Sequence, residues 1–171
     1  MTIDTYYYTF GFLVPIDECY ELLGFTAENF TAEKREKLID EWDIELEITD
    51  EDFPHAWFDC AYLESRKYEF EVDGKTFIAR RFSNDHENGK YLVVGIAIGE
   101  MNRFSGKYTS HTKIKDGLKQ QIIPLAQNQK WQKAIQKSEF KNCTLYDSAE
   151  YSVPFKSFSL GPSVFTTTNY W

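Results

Sequence analysis

A chain of 171 residues, 42% hydrophobic and 27% charged, is long enough to build one sizeable core and too apolar to remain disordered. Its net charge of −8 is unevenly spread: residues 1–102 hold 23 of the 27 acids, while residues 103–171 hold 10 of the 19 bases, which suits either a polyanion partner for the basic part or mutual neutralisation within the fold. Cys19, Cys60 and Cys143 form no CxxC pair, and neither a leader pattern nor an apolar run of membrane-spanning length is present, so a soluble, reduced, cytoplasmic protein without disulfides is expected.

Residues 5–13 alternate as a strand, with Tyr6, Tyr8, Phe10 and Phe12 on one face and Tyr7, Thr9, Gly11 and Leu13 on the other. Both faces are apolar enough to predict an interior position. Pro15, then Asp17 and Glu18, then Gly24 punctuate a short helix over 15–23, whose inward stripe is Ile16, Cys19, Tyr20 and Leu23. A second helix is expected over 31–42, capped by Thr31, with Leu38, Ile39 and Trp42 facing inward. The stretch 40–52 contains no base, and its alternation of Ile44, Leu46 and Ile48 with Glu45, Glu47 and Thr49 predicts a strand with one wet face. Residues 57–63 are assigned to the sheet, although Trp57, Phe58 and Tyr62 also fit a helical turn.

Tyr68–Val72 alternates strictly, Asp73-Gly74 suits a type I′ turn, and Thr76–Phe82 returns, which together predict a hairpin. A polar loop over 84–89 leads into Tyr91–Gly99, an uncharged run that alternates in neither direction and therefore reads as the central strand, covered on both faces. Met101–Ser110 is polar and yields no element. Ile114, Leu118 and Ile122, followed by Leu125, Trp131, Ala134 and Ile135, predict two helices within 112–138, or one kinked at Pro124. Short β-like pieces follow Asn142. The aromatic extension at about 152–171 contains no acid and has the character of a packed segment rather than a fraying one.

No nucleophile elbow, P-loop or dinucleotide fingerprint is present, so no cofactor is expected. In the segment Pro54–Cys60, His55 and Asp59 would share a helical face, but no complementary ligand pair exists elsewhere, and no metal is expected. His86 in the polar loop, beside Asp85 and Glu87, is the one candidate for acid–base chemistry. Arg80 and Arg81 precede it and are candidate anion-binding residues, together with Lys113, Lys115 and Lys119. Lys130, Lys133 and Lys137 share another helical face that could track phosphates, though so few arginines accompany the lysines that a solvated face is the plainer reading. Phe165, Tyr170 and Trp171 are candidate partner-binding side chains.

These patterns predict a single α+β domain over 1–171, with a mostly antiparallel twisted sheet and helices packed on one face. The expected function is a non-enzymatic binding or regulatory protein that contacts a protein partner, or a second copy of itself, through the aromatic tail and the acidic 40–52 region. The alternative is a small enzyme or ligand-binding domain for a nucleotide or other phosphorylated compound, using Arg80, Arg81, His86 and the Lys113–Lys119 face. Nucleic-acid binding through the lysine-rich region is a third expectation.

Overall fold

The computed structural model describes residues 5–42, 53–63, 65–82, 90–111, 117–138 and 162–168. Thr5–Pro15 forms β1, and Ile16–Leu23 forms α1, which Gly24 stops in the left-handed conformation (φ 86°) that a residue without Cβ adopts at little cost. After one 3₁₀ turn at Ala27–Asn29, α2 runs over Ala32–Trp42 with the Thr31 hydroxyl accepting from the Lys34 amide at 3.3 Å. Leu38 is buried as expected from the periodicity, whereas Ile39 is 45% exposed.

Phe53–Leu63 is helix α3, which corrects the assignment of 57–63 to the sheet. The reason is legible in hindsight: Phe58 and Tyr62 are i, i+4 partners, both are buried, and their rings stack at 5.5 Å. Tyr68–Val72 (β2) and Lys75–Phe82 (β3) form the expected hairpin, and Asp73 and Gly74 both take the positive φ (51° and 79°) that a type I′ turn demands. Tyr91–Asn102 is β4, continued by a tight turn into β5 (Tyr108–Ser110), an element that the polar 101–110 stretch concealed. Helix α4 (Leu118–Gln127) contains Pro124, and α5 (Gln129–Gln136) begins at an Asn128 cap whose side chain accepts from the Lys130 and Trp131 amides at 3.1 and 3.2 Å. The helices therefore part at Asn128 rather than at Pro124. Ser163–Thr168 forms β6. The strand expected over 44–48, Ile114 and the pieces between Asn142 and Phe158 lie outside the described residues.

The six strands build one antiparallel sheet in the order β2-β3-β4-β1-β6, with β5 beside β4. β4 is thus the central strand, as its two-sided apolar character requires. The result is an α+β fold with helices packed against one face: α1, α4 and α5 lie over β1 and β4. That face holds the larger core, including Phe10, Phe12, Val14, Leu92, Val94, Ile122, Leu125 and Trp131. Among the described residues no helix is long and apolar enough to cross a membrane.

The sheet is not an open plane. In a flat sheet β3 and β6, with β4 and β1 between them, would lie about 14 Å from each other. Instead they touch, and the rings of Phe82 and Phe165 meet edge to face at 5.8 Å. Two features of the sequence permit this curl. Gly11 and Gly95 are register partners on β1 and β4, and their backbones approach so closely that a Cβ on Gly11 would stand 1.9 Å from the Val94 carbonyl oxygen. The register then skips one residue between Tyr8 and Thr9, leaving Ile98 as a bulge that bends β4 further. Leu13, Phe82, Tyr91, Val93 and Phe165 fill the inside of the curl as a second core.

Candidate functional site

Successive strand residues point to opposite faces, so Arg80 and Arg81 on β3 cannot serve one ligand atom. Arg81 lies on the helix-covered side, where its guanidinium pairs with the Asp59 carboxylate of α3 and stands over the Phe58 ring at 5.8 Å. Arg80 lies inside the curl. It is only 2% exposed, and its guanidinium rests on the face of Tyr7 at 4.3 Å. Among the described residues its Nε and Nη1 donate to nothing, and no carboxylate pairs with it.

The inner face around Arg80 carries several hydroxyls. Tyr7 is directly opposite Thr167 of β6, Thr9 opposite Phe165, and Gly11 opposite Ser163, so alternation brings Thr9, Ser163 and Thr167 to the same inner face. All three are buried, at 0%, 0% and 3% exposure, and their hydroxyls make no hydrogen bond among the described residues. A folded interior ordinarily satisfies such groups. Four buried polar side chains on one inner face thus have polar atoms without a hydrogen-bond partner among the described residues.

Burial lowers the pKa of Arg80, and the neighbouring Tyr62, Tyr7 and Glu100 oppose that shift in decreasing order. Tyr62, at the end of α3, feels the reciprocal effect: burial raises its phenol, and Arg80, the Arg81 backbone amide and Arg66 hold it back. Glu100 is the register partner of Tyr7, and its carboxylate lies 3.7 Å from the His111 ring. It also lines an open cleft of about 350 Å³ with Thr5, Asn102, Ser105, Lys107 and Thr109, a volume within the range of small-ligand pockets. Glu100 thus joins the cleft at the end of β1 and β4 to the surroundings of Arg80.

The other expected residues fall elsewhere. Phe165 is a core side chain, 2% exposed and packed on Phe82. Lys119 is exposed on α4. His86, Lys113, Lys115, Tyr170 and Trp171 lie outside the described residues. His55 and Asp59 share the helical face that their spacing implies, but Asp59 turns to Arg81, while His55 Nδ1 lies 3.4 Å from the Tyr20 hydroxyl. Among the described residues no three His, Cys, Asp or Glu side chains gather as metal ligands do. On the lysine face of α5, Lys137 donates to Glu18 of α1 at 2.8 Å, and Glu18 and Glu21 border Lys130 and Lys133, so acids of the first half meet bases of the second.

Sequence reasoning named Arg80, offered Tyr7 only as part of an aromatic interaction surface with Tyr6 and Tyr8, and missed Thr9, Ser163 and Thr167. The strand pattern did place Tyr7 and Thr9 on one face. Nothing in the sequence announced that β6 would pair with β1 and bring its Ser and Thr hydroxyls alongside. No family model, no curated protein and no solved structure matches this chain.

Proposed function

We propose that the protein is a ligand-binding domain for a small anionic compound, whose negative charge Arg80 receives inside the curled sheet. The observation that carries this reading is a buried guanidinium whose Nε and Nη1 have no hydrogen-bond partner, and which forms no ion pair, among the described residues. A buried ion still costs several kcal/mol after the protein relaxes around it, and a partner carboxylate or a bound anion is what usually offsets that cost. Arg81, one residue away, shows the ordinary solution in its pair with Asp59. Arg80 has the aromatic face of Tyr7 against it and no direct ion pair among the described residues, which leaves guanidinium donors for a bound anion.

The test is thermal unfolding of wild type and Arg80→Met across a panel of small anions at constant ionic strength, with chloride as the reference. The proposal expects at least one anion to stabilise wild type and to leave Arg80→Met unmoved. Equal behaviour of the two proteins across the panel would remove the reading. The protein-partner expectation draws on Tyr170, Trp171 and the region 40–52, while Phe165 belongs to the core.

A further inference from the structure

We infer that a cavity of about 630 Å³ between α1, the 3₁₀ turn and the start of α3 binds a small organic cation, an amine carried on a compact apolar body. It lies on the helix-covered side of the sheet, whereas Arg80 lies inside the curl, so it is a second site.

The cavity is assembled from neighbouring pieces of chain. Asp17 and Glu21 stand i, i+4 on α1, with Tyr20 behind them. Phe25, just past the Gly24 stop, and Glu28 of the 3₁₀ turn form the second wall, and His55 near the start of α3 forms the third. Tyr20 and Phe25 are each 3% exposed, so the back is largely ring surface while the exposed acids make the rim polar. The Tyr20 hydroxyl lies 3.4 Å from His55 Nδ1 and the two rings meet edge to face at 5.0 Å, which leaves the other ring nitrogen, Nε2, for a ligand. The volume is that of a small-molecule pocket, with apolar walls and a few polar groups.

Charge then selects the ligand. Among the described residues no lysine or arginine lines the cavity, and Asp17 and Glu28 form no ion pair. Glu18, the neighbour of Asp17, is answered by Lys137 at 2.8 Å, and Glu21 also borders Lys130 and Lys133. The cavity therefore attracts a cation and repels an anion, chiefly through Asp17 and Glu28. A metal ion fits less well, because among the described residues no three His, Cys, Asp or Glu side chains converge, and the volume far exceeds one ion. Beside the cavity the chain already seats an ammonium in this way: Lys34 Nζ donates to the Asn29 carbonyl at 3.0 Å and stands 4.1 Å over the ring of Trp57, which itself packs on Phe25.

Benzylamine is the probe on the full chain. Benzyl alcohol is its uncharged counterpart, benzoate the anion, methylammonium the charge without a body, and magnesium chloride the metal. At about ten times its Kd and low ionic strength, benzylamine should raise Tm by roughly 3–6 °C, and added sodium chloride should shrink the shift. Benzyl alcohol, benzoate and magnesium should not reproduce it, and methylammonium at equal concentration should do less. Asp17→Asn with Glu28→Gln, two exposed positions, should remove most of the shift, and Arg80→Met should keep it. An undiminished shift in the double variant would place the amine elsewhere and overturn the site. A magnesium or methylammonium shift as large as that of benzylamine would reduce the effect to diffuse charge attraction and overturn the ligand class. Calorimetric titration of wild type with benzylamine is the second readout, and absence of binding overturns the inference whatever the variants do. The Arg80 test reads anions and this one a cation, so failure of either leaves the other standing.

Discussion

The guanidinium of Arg80 lies 4.3 Å from the centre of the Tyr7 ring although β4 separates their strands, a contact that only a strongly curled sheet can make. The cation–π interaction is worth about 2 kcal/mol or somewhat more when desolvated, while the residual cost of a buried ion is several kcal/mol. On the proposed reading the second exceeds the first, and without an anion Arg80 would be a net liability. Arg80→Met, which keeps an unbranched apolar stem and removes the guanidinium with its charge, should raise the unliganded stability by about 1–3 kcal/mol in a urea titration. Arg80→Lys should lower it, because an ammonium is more strongly hydrated and loses the planar stacking on Tyr7. A loss of 2 kcal/mol or more in Arg80→Met would mean that the folded chain already supplies Arg80 with a partner, and the anion reading would fail.

Asp59→Asn should act in the opposite direction from Arg80→Met. The Asp59–Arg81 pair is largely shielded, with side-chain exposures of 31% and 21%, and the substitution keeps the shape while removing the counter-charge. A loss of about 1–3 kcal/mol is expected, the usual worth of a charged hydrogen bond. Unfolding of both variants in parallel would show that two neighbouring arginines contribute with opposite sign. A neutral Asp59→Asn would show that solvent already screens the pair.

The two glycines at the bend allow a third prediction. Gly11→Ala or Gly95→Ala would drive a Cβ to within 1.9 or 2.0 Å of a backbone carbonyl oxygen on the neighbouring strand, and backbone cannot swing aside as a side-chain tip can. Each should cost about 3 kcal/mol or more, at or beyond the upper end for overpacked positions. Gly74→Ala is the control, since its Cβ would meet nothing and only its φ of 79° is unfavourable, at about 1–2 kcal/mol. Urea midpoints of the three variants should therefore fall in two groups. A mild effect at Gly11 would mean that the curl can relax.

Which parts of this arrangement the chain disclosed in advance follows from how local each signal is. The hairpin at Asp73-Gly74, the stop at Gly24 and the central position of β4 depend on neighbouring residues and on two-sided apolarity, and each was readable. Residues 57–63 were harder, because an aromatic-rich run of that length satisfies both periods and only burial of Phe58 with Tyr62 decides between them. The inner face was least legible. Arg80 looked like a partner of Arg81 because they are adjacent, yet strand geometry separates them. Thr9, Ser163 and Thr167 acquire meaning only from the long-range pairing of β1 with β6.

The phenol of Tyr20 gives the fold a predictable alkaline limit. It is 3% exposed, and burial pushes its pKa up to about 12, partly opposed by Arg81. The folded state thus holds the Tyr20 proton more tightly than the unfolded chain, whose tyrosines titrate near 10. Its contribution is fully present below pH 10, falls as pH rises from 10 towards 12, and is lost above that. Two pKa units correspond to about 2–3 kcal/mol. Tyr62 and Tyr68, whose phenols burial also raises, add loss in the same direction. Urea titrations between pH 8 and 11.5 should show wild type losing stability faster than Tyr20→Phe. Parallel curves for the two proteins would place Tyr20 in water rather than in the core.

Cys19 and Cys60 should differ sharply towards alkylation. Cys19 sits on the buried stripe of α1 at 0% exposure, and burial raises its thiol well above the usual range, so the thiolate that attacks an electrophile is scarcely populated. Cys60, on α3, is only half-buried. Iodoacetamide at pH 8, followed by peptide mass spectrometry, should modify Cys60 in the native protein and leave Cys19 intact until urea unfolds the chain. The labelling of Cys19 would then follow the opening of the α1–sheet core, and stabilising substitutions such as Arg80→Met should slow it in proportion to the gain in unfolding free energy if that opening is global. Modification of Cys19 as fast as Cys60 under native conditions would instead place α1 off the sheet and undo the packing assigned to it.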